Sequence, residues 1–367
     1  MNAALPVPAG RTAAAEWISC GNGGDTFLSL PVQVGGVEAR AILDSGATCT
    51  VIDSAFAARR ELRLAQQQRV TGLTGAIAGS TAGPLDISAG AEFLFTAPAL
   101  VMDLAPIARA AATQIDLVLG HDLFLQRAID IDPSRAALRF LDYGSENITH
   151  WLPVVQMSDG HFCTTIELMH GLRARAIIDL GCLAPLYVSP GFAARHDLFR
   201  GLRRGSSASV GVEGVAISEL GRLPRLQLGD SVLHDIPFSV PPAWAFAAPI
   251  VMGLPLLMRF HGIFDFGRSR MHLTPADGLD RPFLRDRSGL SVVHAGERLD
   301  VLHVAAGSPA AKAGLCPGDS IVAINNEAVA TPGARNHRNL GKRPAGTRYV
   351  LSLLAKGTRE MVLEEYY

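Results

Sequence analysis

Two acids stand where apolar strands end. In RAILDSGATCTVIDS, residues 40 to 54, Ile42 and Leu43 run into Asp44, which is followed by Ser45, Gly46 and Ala47. In RAIIDLGCLAPLYVS, residues 175 to 189, Asp179 is followed by Leu180, Gly181 and Cys182. A carboxylate at the end of a buried strand is costly unless it is paired or used. Taken singly, Asp-Ser-Gly reads as a turn whose Asp accepts backbone hydrogen bonds. The second copy favours a chemical use. Two carboxylates within about 3 Å cannot both ionise, so they share a proton and titrate as a pair. The ionised member can take a proton from water while the protonated member donates to a polarised carbonyl oxygen. The resulting diol collapses with a proton passed to the leaving nitrogen. Peptide hydrolysis by this route needs no metal, cofactor or covalent intermediate.

The elements that must position these acids are themselves duplicated. FAARREL (56 to 62) is answered by FAARHDL (192 to 198), one residue out of step with the aspartates. VLGHDLFLQRAIDIDPSRAALRF (118 to 140) is answered by VMGLPLLMRFHGIFDFGRSRMHL (251 to 273), with Gly120 on Gly253 and Asp132 on Asp265. Each half also carries a glycine-punctuated hairpin, VTGLTGAIAGS and VGVEGVAISELG. The order is the same in both halves: a strand ending in Asp-x-Gly, a short helix, a hairpin, further strands, an apolar-apolar-Gly segment and a closing strand. A duplicated β unit of this kind is expected to pack as two lobes about a pseudo-two-fold axis, on which the carboxylates can face each other.

Composition agrees with a mainly β chain of several domains. At 367 residues it is too long for one compact core, and 48% of it is apolar. The 37 glycines and 22 prolines are scattered and helical periodicity is short-lived, which favours strands and turns. A formal net charge of −1 argues against a broad grip on nucleic acid or anionic membrane. No apolar run is long enough to span a bilayer. The five widely spaced cysteines include no C-x-x-C pair, and there is no H-E-x-x-H, so no metal site is expected. Cys49 and Cys182 read as packing residues rather than thiol nucleophiles, and His121 and His261 as packing or surface residues. The N-terminus lacks the basic start and apolar core of a signal peptide. The chain as it stands is compatible with the cytoplasm, or with the periplasm or cell envelope if a leader has been removed.

At this point the sequence resembles a family. LDSGAT with the later LVLG, and IIDLGC with IVMG in the same order, are similar to retropepsin-like and pepsin-like aspartic proteases, in a bacterial single-chain form with two fused lobes. The resemblance covers roughly residues 25 to 275. It implies lobes at 21–148 and 149–280 after an N-terminal tail of residues 1–20, with Asp44 and Asp179 as the catalytic dyad. Gly46 and Gly181 would let the two loops turn tightly, and Gly120 and Gly253 would pack behind them. Gly72, Leu73, Thr74 and Gly75 in one half, and Val212, Glu213 and Gly214 in the other, would form flaps over an extended peptide. A monomer would suffice for the site. The departure from the pattern is Leu180, since family members carry Thr or Ser after each Asp to brace the loops across the interface. Ser45 can brace; Leu180 cannot. That keeps a second reading open, a catalytically impaired peptide-binding pseudoprotease or scaffold. Ala47 and Cys182, where acid-active relatives carry hydroxyls that donate to the carboxylates, imply an optimum nearer neutral than pepsin-like acidity.

After residue 280 the pattern changes. GLSVV followed by AAGSPAAKAGLCPGDSIVAINNEAV resembles a PDZ domain of the protease-associated type over residues 285–367. Ser308 and Pro309 read as the start of a helix and Gly314 as its C-cap. The resemblance implies that the module adds a peptide as an extra strand, with Gly289, Leu290 and Ser291 as the loop that receives a C-terminal carboxylate. The alternative is a module that simply docks on the lobes. The combined expectation is an endopeptidase that recruits a peptide or protein tail and cuts unfolded or extended polypeptide.

Overall fold

A computed structural model describes residues 18–20, 26–71, 76–90, 92–111, 113–141, 148–211, 213–330 and 340–367. The two halves fold alike, as two closed six-stranded barrels. In the first, the strands Ser29–Val34, Val37–Leu43, Leu117–Leu119, Val51–Asp53, Glu92–Met102 and Ala76–Ala89 neighbour one another in that order. Ala76–Ala89 then returns to Ser29–Val34, pairing Ser88 with Gln33, and closes the ring. In the second, the order is Phe162–Leu168, Arg173–Asp179, Ile250–Gly253, Leu186–Val188, Ser231–Val240 and Gly214–Leu228, closed by pairing Gln227 with Glu167. The strand before each Asp lies parallel to the strand that ends in the apolar-apolar-Gly motif, Leu43 beside Leu119 and Asp179 beside Gly253. The sequence repeat is therefore a repeat of strand pairing as well.

Alternation explains which side of each strand is covered. In Ser29–Val34, Leu30, Val32 and Val34 are buried while Pro31 and Gln33 are exposed, the period-two pattern of a strand with one wet face. Near the acids the alternation gives way to continuous burial, because both faces are covered: Ala41, Leu43, Ala176 and Ile178 face the main core, while Ile42 and Ile177 face a smaller apolar cluster on the other side of each sheet. Two short helices follow the Asp loops. Asp53 caps Ser54–Arg59, accepting from the Ala55 and Phe56 amides, and Ser189 caps Pro190–Arg195, accepting from the Phe192 amide.

A third sheet joins the halves. Ala128–Asp132 of the first half lies antiparallel to Phe260–Asp265 of the second, pairing Ile131 with Gly262 and Ile129 with Phe264. Ala137–Leu141 and Arg270–Pro275 flank this seam. Ile18–Ser19, expected in a terminal tail, pairs with Ala137–Leu138 at one edge of the sheet. One apolar core runs through both lobes, with Phe266 packed on Phe124 and Phe162 from either side.

The C-terminal module has its own core around Leu299, Ile321 and Leu351. Its main sheet runs Leu290–His294, Leu299–Val304, Ser320–Ile324, Arg348–Leu353 and Gly357–Val362. Ser308 caps the helix Pro309–Lys312, and Gly314 adopts φ +76° beyond its end, as the N-cap and C-cap expectation requires.

Candidate active site

The two Asp loops meet at the lobe interface. A Cβ on Gly46 would lie 2.6 Å from the Asp179 carboxyl carbon, and one on Gly181 would lie 2.2 Å from that of Asp44. Each glycine thus leaves room for the carboxyl of the opposite lobe. That reciprocal fit brings the two acids together, and their carboxyl groups hydrogen-bond each other. Asp44 Oδ1 accepts from the amides of Gly46 (2.8 Å) and Ala47 (3.0 Å), and Asp179 Oδ1 from the amide of Gly181 (2.8 Å). Gly120 and Gly253 lie directly behind the loops. A Cβ on Gly120 would meet the Cys49 carbonyl oxygen at 2.4 Å, and one on Gly253 the Ala184 carbonyl oxygen at 2.0 Å.

Burial dominates the electrostatics. It raises the Asp44 pKa above the ordinary carboxylate value of 3.8, against the opposing effect of its amide donors. It raises that of Asp179 well above the same value, and the neighbouring Asp44 charge adds to the shift. The pair therefore holds a proton at pH values where isolated carboxyls have lost theirs. The direction agrees with the expectation drawn from Ala47 and Cys182, but desolvation is its main cause. Burial also pushes up the thiols, Cys163 to about 12 and Cys182 well above its usual range, so neither is available as a thiolate. Cys182 instead donates weakly to the Ala184 carbonyl at 3.5 Å. All five cysteines are free. No group of three or more His, Cys, Asp or Glu side chains able to hold a metal occurs among the described residues.

The brace between the loops is one-sided. Ser45 is fully buried, and its hydroxyl donates to the Ile178 carbonyl (2.8 Å) while accepting from the Leu180 amide (2.9 Å). One hydroxyl therefore satisfies a donor and an acceptor of the other lobe. Leu180 turns into the shared core and is also fully buried. The first loop has a different support: His121, 3% exposed, approaches the Ser45 carbonyl at 2.9 Å through Nε2. Burial lowers the His121 pKa, and the neutral ring carrying its proton on Nε2 donates this bond. His121 is a packing residue with a specific hydrogen-bonding task.

His161 enters the site without having been singled out in the sequence. It lines the cleft with both acids, its Nδ1 lies 3.2 Å from Asp159 Oδ1, and its ring packs on Phe246. Its charge favours the ionised form of Asp44. The legible trace was the turn Asp159-Gly160, which presents the next residue at a fixed angle; Gly160 has φ +91°. His261, by contrast, lies outside the site and pairs with Asp130 in the shared sheet, its Nε2 at 2.6 Å from Oδ1.

The cleft has a volume of about 570 Å³. Beyond Asp44 it continues into an apolar hollow of the first lobe lined by Phe27, Ile42, Leu100, Ile107 and Val118. On the other side it is covered by the hairpin of Gly205–Gly211 and Gly214–Leu228, of which Gly211, Glu213 and Gly214 line it. Val212 lies outside the described residues. The first-lobe hairpin consists of Leu64–Thr71 and Ala76–Ala89, and Gly72, Leu73, Thr74 and Gly75 at its tip likewise lie outside them.

In the C-terminal module the expected carboxylate loop differs from expectation. The amide of Gly289 donates to Asp286 Oδ2 (2.7 Å), and that of Leu290 to Ser288 Oγ (3.1 Å). Asp286 also accepts from the Ser288 hydroxyl (2.7 Å). Ser291 is engaged as well, its Oγ accepting from the Ala208 amide of the second-lobe hairpin (2.9 Å). Donors expected to receive a peptide terminus are thus committed to the chain's own side chains.

Residues 30–123 match the family model described as aspartyl protease, a span that includes the Asp44 loop and Gly120. Residues 301–335 match the PDZ domain model. No curated protein matches the chain. Matches to an aspartyl protease domain and to a PDZ domain therefore lie on one polypeptide.

Proposed function

We propose that the chain is an aspartic endopeptidase in which Asp44 and Asp179 share one proton and activate water against the carbonyl of an extended peptide. The observation that carries this is the reciprocal fit of Gly46 against the Asp179 carboxyl and of Gly181 against that of Asp44. A Cβ at either glycine would force the acids apart, and nothing in a purely structural turn asks for that space. Asp44, with two amide donors and His161 nearby, is the ionised member and takes the proton from water. Asp179, desolvated and beside the Asp44 charge, holds the shared proton and passes it to the carbonyl oxygen as water adds. The second-lobe hairpin covers the peptide and keeps bulk water from the pair. A substrate side chain on the first-lobe side enters the apolar hollow at Phe27, Ile42 and Val118, which favours a large apolar residue beside the cut bond.

The loss of a hydroxyl at Leu180 does not argue for an inert site, because Ser45 alone meets both backbone groups across the interface. The test is digestion of a reduced, carboxymethylated protein across pH. The expected result is cleavage that Asp44→Asn and Asp179→Asn each remove. Full activity in Asp179→Asn would defeat the two-carboxylate mechanism, and no cleavage by the parent at any pH would leave the pseudoprotease reading.

A further inference from the structure

The catalytic cleft and the groove of the C-terminal module adjoin and share part of their lining. Ser207 on the second-lobe hairpin and Val292 on the module's first strand line both. The groove is bounded by that strand, Leu290–His294, on one side and by Leu340, Gly341 and Lys342 on the other. Leu302, on the neighbouring strand Leu299–Val304, also faces the catalytic cleft. The module is held in this position by a pair of contacts. Ser291 and His303 are cross-strand partners; Ser291 Oγ accepts from the Ala208 amide, and His303 Nε2 lies 2.8 Å from Ser206 Oγ. Both contacts fall on the strand Gly205–Gly211, whose hairpin covers the two acids.

The chemistry at the head of the groove is unsuited to a terminal carboxylate. Asp286 lines it and already accepts from the Gly289 amide, the Ser288 amide and the Ser288 hydroxyl. The Tyr366 hydroxyl donates to the same carboxylate at 3.4 Å. Lys342 lines the far wall, but Asp286 stands among the loop amides themselves, so an entering carboxylate would meet its negative charge there and find the amides of Gly289 and Leu290 taken. A chain that runs on past this point brings no such charge and needs no such donors.

We infer that the module binds an internal, extended segment of the same polypeptide that lies across Asp44 and Asp179, so that one substrate chain occupies cleft and groove together. This rests on the cleft being the place of cleavage, and it adds the substrate class: polypeptides with an unfolded stretch long enough to reach both sites, read without regard to their C-terminus. Val292 is then a specificity residue for long substrates. Linkage of two modest sites on a single ligand raises affinity without a new contact in either.

The experiment uses the full chain. Peptides of about sixteen residues, roughly 50 Å when extended, tile the β-casein sequence and are made with free and with amidated C-termini. Binding is measured by fluorescence anisotropy on the Asp44→Asn chain, and cleavage on the parent. Long peptides are expected to bind about tenfold more tightly than their halves, with less than about a twofold effect of amidation. Val292→Asp is expected to remove that advantage, bringing long peptides to the affinity of their halves, and Val292→Thr to retain most of it. A free-terminus peptide binding about tenfold better than its amide would overturn the inference. So would long peptides gaining nothing over their halves, or Val292→Asp leaving their binding unchanged. If the parent cuts nothing while the Val292 dependence of binding holds, the peptidase reading fails and this one stands. If cleavage is normal but indifferent to peptide length and to Val292, the reverse is true.

Discussion

Burial makes the two carboxyls a neutral-leaning pair, and the consequences can be signed. Asp44 is raised and Asp179 raised well above the ordinary value, so the singly protonated state is bounded on the acid side by a pKa above that of a free carboxyl. The rate profile should therefore be a bell centred above ordinary carboxylate titration; a maximum below about pH 3 would contradict the directions of both shifts. The same groups act on stability. The native state keeps a proton that the unfolded chain has lost, so their contribution falls as pH rises from 3.8 through the native values. Asp179→Asn removes one of the two titrating groups and should weaken that dependence, so its Tm at pH 7 is expected to exceed the parent's although activity is gone. His161→Leu removes a charge that favours ionised Asp44, so the acid limb of the rate profile should move to higher pH. Ser45→Ala leaves the Leu180 amide and the Ile178 carbonyl without their cross-lobe partner and should cost about 1–3 kcal/mol, read by chemical denaturation. The acids and Ser45 were legible because they break an apolar run at matching places in a repeat. His121 and His161 were not: the Asp159-Gly160 turn shows that His161 is held at a fixed angle but not where it points, and nothing local marks the destination of His121.

Glycine positions separate the elements that hold the site from those that merely connect. Gly253 sits where a strand end passes over the second Asp loop, and its would-be Cβ meets a backbone carbonyl oxygen at 2.0 Å, which no rotamer change relieves. Gly253→Ala should lose most folded protein at 37 °C or cost several kcal/mol, on the order of 3 or more. Gly83→Ala, on a strand with nothing within 4 Å of its would-be Cβ, serves as the control and should be nearly neutral. Thermal melts of the two variants decide it. The apolar-apolar-Gly motif was readable for this reason: a glycine kept after a buried strand in both halves signals close backbone approach. The one-residue slip between FAARREL and FAARHDL also has a plain origin. The helix caps stand nine residues after Asp44 and ten after Asp179, at Asp53 and Ser189, so the second loop carries one extra residue before its helix. The helix Ala105–Ala111 left no clear trace, being short and Ala-rich with little amphipathic pattern, yet it packs near both the second-lobe hairpin and the module's first strand. Contacts of that kind join segments about a hundred or more residues apart in the chain and leave no local period to read.

The whole molecule is two lobes on one sheet with a separate module against them, and this architecture makes a calorimetric prediction. The seam between Ala128–Asp132 and Phe260–Asp265 joins the halves through backbone pairing, and a single apolar core passes through both. The C-terminal module has a core of its own. Heating should therefore melt the lobes as one unit and the module as another. Asp130 lies fully buried in the seam, held by Arg139 at 2.7 Å and by His261 at 2.6 Å. Asp130 raises the His261 pKa above its ordinary 6.5, chiefly through their hydrogen bond. A histidine raised on folding contributes stability that is complete below its unfolded value and is lost as pH rises through its folded value. The lobe transition should accordingly fall in Tm as pH rises from about 6.5 through the raised value of the folded state. His261→Gln should flatten that slope, modestly because the ring is partly exposed and screened by solvent. The module's transition should not move in the same variant, since His261 does not belong to its core. A single transition that shifts as a whole in His261→Gln would mean that the contacts of Ser291 and His303 weld module and lobes into one cooperative body. That outcome would extend the reach of the second-lobe hairpin from covering the two acids to governing how the entire chain unfolds.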